Sequence, residues 1–472
     1  MSPCCSIHET INIQNNEIIR MNFTDKIIDK FNLSPAKKKV VTNLIWAVAG
    51  KITTLLGSLL VGILVARYLG PQQYGLMNYV FSYVMLFQVF ATFGLDNIEI
   101  REEARNLENK DKIIGTAFCL KIAFAILTIG AIFLVTELSE ADSLTRWMIY
   151  IYSLSIVMNT FSVIRNHFTA LVWNEYIVKT EILRTIIGAA IKIILLLVHA
   201  PLWGFICATL FDTILLAGGY ITSYRKKIGQ ISLWKFDKAT AIYLIKQSFP
   251  LLLSGAAIII YQKIDQVMLG NMIDKQSVGF YSVAGKFTEL CIFVPTILSQ
   301  TITPILVKLY ENNVTEYKNK AQSFMNLTVW GTVVGCLIIC LIASPLIKYT
   351  FGHQYTSSIA LLQIMVFKVI GYAFAQTTGA MIVIEKKQQL VVIRNIIGCI
   401  TSIGLNLLLI PLWGVKGAVI TSVITAFCTG FVSHIFIPRY HPILRMQVVC
   451  ILIGWKDLLA IPLKRIKIIS SK

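Results

Sequence analysis

The chain is poor in charge, and poorest in acid. Only 14% of its 472 residues are Asp, Glu, Lys or Arg, and 24 acids face 43 bases. A soluble protein of this length needs far more charge to cover its surface, so a large water-exposed domain is excluded. No Gly-x-x-x-x-Gly-Lys occurs, which excludes a Walker-type ATPase. The six His are dispersed without His-Glu-x-x-His, and no Gly-x-Ser-x-Gly elbow is present. None of the ten Cys forms Cys-x-x-Cys, and most sit inside apolar runs as small buried residues, so no metal centre is expected. Before Val40 there is no apolar core of the kind a secretory signal carries. Residues 1–40 are expected to be a cytoplasmic lead-in, with Met21 an alternative start.

What fills the space is hydrocarbon. Hydrophobic residues make up 56% of the chain, and mean hydropathy is +0.70. Apolar runs long enough to cross a bilayer as helices recur from end to end. One of them is said twice. Arg184–Gly204 (RTIIGAAIKIILLLVHAPLWG) and Arg394–Gly414 (RNIIGCITSIGLNLLLIPLWG) align without a gap at 11 of 21 identical positions. A second, weaker echo pairs Leu69-Gly70 and Tyr74-Gly75 with Leu269-Gly270 and Val278-Gly279-Phe280-Tyr281. Internal repetition of this kind predicts two equivalent lobes.

Twelve spans are predicted, roughly 42–66, 75–97, 113–136, 145–169, 177–199, 202–223, 247–270, 278–303, 323–344, 357–383, 391–411 and 413–436. Basic loops test this count. With an inside start, Lys and Arg concentrate in 98–112, 224–246, 304–322 and 384–390, whereas the outside loop 137–144 is acidic. The fold class expected is therefore an all-α polytopic membrane protein of about twelve transmembrane helices, arranged as two pseudo-symmetric six-helix bundles. The divisions are an N-lobe at 41–223, a basic cytoplasmic linker at 224–246, a C-lobe at 247–437 and a basic amphipathic tail at 438–472 on the inner leaflet. Six spans per half give the halves one orientation, related by an axis along the membrane normal. Both termini are expected in the cytoplasm. The net charge of +19 reflects this loop bias and does not point to nucleic acid.

The informative residues are charges inside spans. A Lys near a span centre costs about 2.5–3.5 kcal/mol, against about 0.3–0.6 gained per Leu or Ile. Such residues snorkel, pair, or face a wet interior. In the first span Asn43, Lys51, Thr54 and Ser58 share a face; in the second, Asn78, Ser82, Thr92 and Asp96 do. The seventh span carries Ser248, Gly255, Gln262 and Gln266, with Asp265 at the stripe's edge and Lys263 beside it. The eighth carries Ser282, Lys286, Glu289, Thr296 and Gln300, and Lys368 shares a face with Tyr372 and Gln376. These stripes predict a hydrated cleft lined by the first two spans of each half. Its candidate binding residues are Lys51, Lys263, Lys286, Lys368, Gln262 and Gln300. Asp96, Asp265 and Glu289 are candidates for charge balance or coupling. Lys121 and Lys192 show no coherent stripe, and Arg184 and Arg394 read as anchors. An interior richer in Lys than in acid attracts an anion, most simply phosphate.

LLVGILVARYLGPQQYGLMNYVFSYV, FGLDNIEIREEAR, VMLGNMIDKQSVGFYSVAGK, FGHQYTSS and the repeated PLWG resemble the polysaccharide-biosynthesis flippases of the Wzx type. These belong to the multidrug/oligosaccharidyl-lipid/polysaccharide (MOP) superfamily, and the resemblance covers roughly residues 40–440. It implies a V-shaped pair of bundles around a central cationic cavity. It further implies an undecaprenyl-diphosphate-linked oligosaccharide moved across a bacterial inner membrane by alternating access, for O-antigen, capsule or exopolysaccharide synthesis. The expected partners are that lipid-linked glycan, membrane lipids, the polysaccharide polymerase and its chain-length regulator. No cofactor is expected beyond a coupling cation, H+ or Na+. A multidrug exporter of the same superfamily is the alternative, disfavoured by the Lys excess. A membrane glycan polymerase would need a larger outside loop than 345–356 provides.

Overall fold

The computed structural model describes residues 35–139 and 141–458, with side chains at residue 50 and from 53 onward, 107 excepted. The lead-in up to residue 34, the tail beyond 458 and the Lys51 side chain lie outside the described residues. Among the described residues there is no strand.

Among these residues, ten helical stretches are long and apolar enough to cross a membrane. The first of these holds two spans. The helix Pro35–Thr92 breaks at Gly70, whose φ of 71° and ψ of 172° lie outside helical space, and Pro71 opens the next arm. A side chain at positive φ is strained, and Pro fits the first helical turn, so Gly-Pro is a turn the residues themselves dictate. Asn174–Leu197 is the remaining span, as apolar as the others but set apart by five charges within its 24 residues. Dividing the first stretch and adding this helix gives the twelve spans expected.

The V shape is visible in where the cores sit. At the end carrying the Gly70 turn, here called the rim, one buried cluster spans both lobes, joining Tyr74, Met77 and Val80 to Val278, Tyr281 and Tyr355. At the opposite end the core divides. Leu306, Met325, Phe374 and Met381 pack in the C-lobe, and Ile98, Ile114, Ile164 and Phe168 pack in the N-lobe. One shared core and two further ones, the N-lobe one reached by Leu244 of the seventh span, describe two bundles that converge at the rim and stay joined along one side beyond it.

The rim is closed by backbone approach. A Cβ on Gly75 would overlap the carbonyl oxygen of Lys275, and a Cβ on Gly279 would overlap that of Pro71. Gly75 and Gly279 are the repeat-equivalent glycines, so the two lobes meet reciprocally where only hydrogen fits. Around them Tyr355 donates to the Ala66 carbonyl (2.8 Å), Gln354 to that of Arg67 (2.9 Å), and Arg67 to that of Tyr349 (2.7 Å).

From the rim the second and seventh spans run antiparallel as a continuous seam. Tyr79 donates to Asn271 (2.6 Å), Ser82 to Gln266, Arg101 to Gln247 (3.3 Å), and Tyr243 to Glu102 (3.2 Å). The pseudo-two-fold would place a matching seam between the first and eighth spans. There Gly62 and Gly285 face open space. The lobes have thus kept one of two equivalent seams and opened the other.

Two spans, again repeat-equivalent, are interrupted. The fourth comprises Ser143–Ser153, Ser155–Met158, a 3-10 turn Asn159–Phe161 and Ser162–Ala170. Ser153 and Thr160 bond back to carbonyls three residues earlier, which loosens a helix. The tenth comprises Ser357–Met365 and Lys368–Ile384, and Cys336 meets the Val366 carbonyl at the break (3.3 Å). Residues 228–237 fold against the third span rather than hanging free. Trp234 donates to Tyr224 (3.0 Å), and Asp237 caps the helix Lys238–Met272 through Thr240 (2.8 Å). The helix His441–Ile453 docks on the ninth span, with Trp330 donating to the Cys450 carbonyl (2.8 Å) and Asn326 to Asp457 (2.8 Å). Ile443, Gln447 and Cys450 are buried on that side, while Val448, Ile451 and Leu452 stay exposed on the other.

Candidate substrate cavity

A cavity of about 270 Å3 opens beside the parted seam. Its wall comes from the first, second, fifth and sixth spans, all of the N-lobe, and from one C-lobe residue, Lys286. The polar face predicted for the first span is on this wall, through Thr54 and Ser58, as is Asn78 of the second. The fifth and sixth spans were not predicted to line the site. They enter because Arg184, Gly188 and Lys192, four residues apart, form one helical stripe. Gly188 leaves room for Asp212 of the sixth span, since a Cβ there would overlap Asp212 Oδ1. Asp212 in turn pairs with Lys192.

The charged residues of the wall are Arg184, Lys192 and Lys286 against Asp212 alone. Arg184 is under-bonded: its Nη2 reaches Thr185 at only 3.5 Å, and its buried Nε has no partner. It reads from the sequence as an anchor, yet it borders the cavity with its buried Nε unpartnered. An unpaired guanidinium in a low-dielectric wall attracts an anion strongly.

Six of the predicted residues gather on the C-lobe side. Lys286 lies 3.9 Å from Glu289. Lys263 is within electrostatic range of Glu289, Lys286 and Asp265, and Lys368 is within range of Asp265, Glu289 and Lys263. Lys368 is carried there by the break in the tenth span, whose second helix it opens. Gln262, exposed, hydrogen-bonds Tyr372 of that helix. Asp265 is buried within the C-lobe, accepting from Tyr281 (2.5 Å) and Asn406 (2.6 Å), so it faces donors rather than the cleft. Gln300 is exposed and stands about four turns, roughly 21 Å, from Lys286 along the eighth span, well away from the cavity.

Asp96 is not with the cleft lysines. It binds Lys121 (2.7 Å) inside the N-lobe, where Lys121 also meets Glu99 (2.8 Å). Lys121, whose span shows no coherent polar stripe, is held in this ion network at 1% exposure. Periodicity within one helix misses such pairs because the partners lie on different spans.

The geometry is therefore a basic chamber in the rim half of the N-lobe, with Lys286 of the eighth span at its edge. Comparison with known proteins agrees with that architecture. An inward-facing multidrug resistance MATE family transporter of the MOP superfamily superposes with a TM-score of 0.66 at 16% identity, covering 85% of this chain and 96% of that one. The lipid II flippase MurJ, in an inward closed conformation, gives 0.64 at 15% identity, covering 88% and 93%. A MOP superfamily transporter from Pyrococcus furiosus gives 0.58 at 14% identity, covering 90% and 96%. At these identities the likeness establishes the fold. Among curated proteins none matches the chain significantly in sequence. The family model described as polysaccharide biosynthesis protein matches residues 40–310. More than half of the chain carries that match, on the fold of the MOP superfamily, and the chain belongs to the polysaccharide biosynthesis protein family.

Proposed function

We propose that this protein is a flippase for an undecaprenyl-diphosphate-linked oligosaccharide. It carries the repeat unit of a surface polysaccharide from the cytoplasmic to the periplasmic leaflet of a bacterial inner membrane. The observation that carries this reading is the N-lobe cavity, where Arg184, Lys192 and Lys286 outnumber Asp212 and Arg184 Nε has no partner. A diphosphate offers the charge and the acceptor oxygens that such a wall lacks. Lys263 and Lys368, a step further into the C-lobe, extend the basic surface for the same group, and Lys51 on the first span completes the set of candidates. The open seam lets the glycan occupy water while the polyprenyl chain stays in lipid.

With the Lys-rich loops in the cytoplasm, the rim is the periplasmic end, and the arrangement is inward-facing. Transport then exchanges the seams: the first and eighth spans close, and the rim opens by rocking of the lobes. An exporter of organic cations would place acid where this wall places Arg184 and the lysines. The test is deletion of the gene, followed by assay of which leaflet holds the lipid-linked glycan. Accumulation on the inner leaflet, reversed by the wild-type gene and not by Lys286→Glu, is expected. Normal export in the deletion strain would overturn the reading.

A further inference from the structure

The inner end of the second span carries a buried charge cluster that the cavity does not use. Asp96, Glu99 and Glu103 share one face of the helix Leu95–Arg105, at i, i+3 and i+7. Facing them are Lys121 of the third span and Asn166 and His167 of the fourth. Lys121 binds Asp96 and Glu99, and Asn166 donates to the same two carboxylates (2.8 and 2.5 Å). His167 Nδ1 meets Glu103 Oε2 at 2.5 Å. Glu99, Glu103, Lys121, Asn166 and His167 are each at most 1% exposed.

The charges do not balance. Three carboxylates face the Lys121 ammonium, and Arg165 lies within electrostatic range of Asp96. Tyr224, in edge contact with His167, is neutral, though Asp111 of the third span lies within its electrostatic range. With His167 neutral, one negative charge is left without a counter-charge in a dry interior, a costly state. One added proton on the Glu103–His167 pair removes it. Both groups keep an atom ready for that proton: Glu103 Oε1 and His167 Nε2 are buried without a partner.

The same helix is the N-lobe's part of the intact seam. It begins at Gly94, with φ 68°, against the C-lobe backbone, where a Cβ would stand 2.7 Å from Leu252 N and 3.0 Å from Ser248 O. Arg101, on the opposite side from the cluster, and Glu102, flanking it, reach Gln247 and Tyr243 of the seventh span.

We propose that the Glu103–His167 pair, backed by Asp96, Glu99 and Lys121, is a proton-binding site whose occupancy sets how the helix Leu95–Arg105 seats on the C-lobe. Resting on the flippase reading, this assigns the coupling cation as a proton. A proton taken up neutralises the cluster, and its release restores the repulsion among the three carboxylates. Because one rigid helix carries both the cluster and the seam contacts, the two states differ in interlobe packing.

The test uses the full chain in lipid nanodiscs without substrate. Potentiometric titration between about pH 5 and about pH 8 should bind about one proton more in wild type than in Glu103→Gln. A second readout is crosslinking of Arg101→Cys with Gln247→Cys by a short bismaleimide. Its yield ratio between the two pH limits should differ several-fold between the wild-type and Glu103→Gln backgrounds, since thiol chemistry is common to both. His167→Gln repeats both measurements if Glu103→Gln is not monodisperse, and should behave alike. Equal proton counts, or equal crosslinking ratios, overturn the proposal. No substrate enters either measurement, so failure here leaves the flippase reading intact, and failure of the leaflet assay leaves this site intact.

Discussion

Replacing Gly75 by Ala should open the rim. The added methyl would overlap the Lys275 carbonyl oxygen, a backbone atom that cannot rotate away, and Gly279→Ala would do the same to the Pro71 carbonyl. Overpacking of this kind costs about 1–3 kcal/mol. Because the contact exists only while the lobes converge, that cost falls on the rim-closed state alone. The ratio of rim-closed to rim-open molecules should then drop about 5- to 150-fold per substitution. The double variant should not drop by the product, since both methyls relieve the same contact. The change can be read by single-molecule energy transfer between labels at Leu138 and Tyr349. These are 80% and 83% exposed and lie in opposite lobes at the rim end. A lengthened distance distribution in a monodisperse Gly75→Ala protein is expected. A distribution identical to wild type would refute the claim that these glycines hold the rim shut.

Two further outcomes follow from ion pairing and capping. Asp212→Asn removes the partner of Lys192 at the cavity wall and should lower thermal stability by the order of 3 kcal/mol, whereas the double variant with Lys192→Met should recover most of it; no recovery would mean the pair is incidental. Asp237 caps the seventh span, and hydrogen bonds from the Thr240 side chain and backbone N–H hold its carboxyl below the usual range. Its folded-state value being depressed, the cap stabilises above the unfolded value and is lost as pH falls through the folded one. Asp237→Ala should therefore lower Tm at neutral pH, with the gap to wild type closing in acid; a pH-independent gap would contradict this.

Much of the architecture was legible because the bilayer imposes it. Span length, basic loops and the PLWG repeat are signals written within single helices, and the Gly-Pro turn at Gly70 and Pro71 carries its own geometry. The same holds for Thr54, Ser58 and Lys286, whose stripes point to the cleft. What periodicity missed lies between helices. Lys121 and Asp96 are 25 positions apart, and Lys192 and Asp212 are 20 apart; neither partner is visible on the other's helical wheel. Arg184 shared a four-residue stripe with Gly188 and Lys192, but its repeat-equivalence to Arg394 favoured an anchoring role. The break at Val366–Phe367 has no Pro or Gly at it, so nothing local announced that Lys368 would be turned toward Asp265.

The most direct measurement is binding of undecaprenyl diphosphate, without sugars, to the purified full chain in nanodiscs. Wild type is compared with Arg184→Gln, Lys192→Gln, Lys286→Gln and the triple variant. Loss of a charge-assisted hydrogen bond is worth about 1.5–3 kcal/mol, so each single change should weaken binding roughly 10- to 150-fold, the triple further, and undecaprenol should bind poorly to all. A monodisperse triple variant that holds the diphosphate as tightly as wild type would contradict the account.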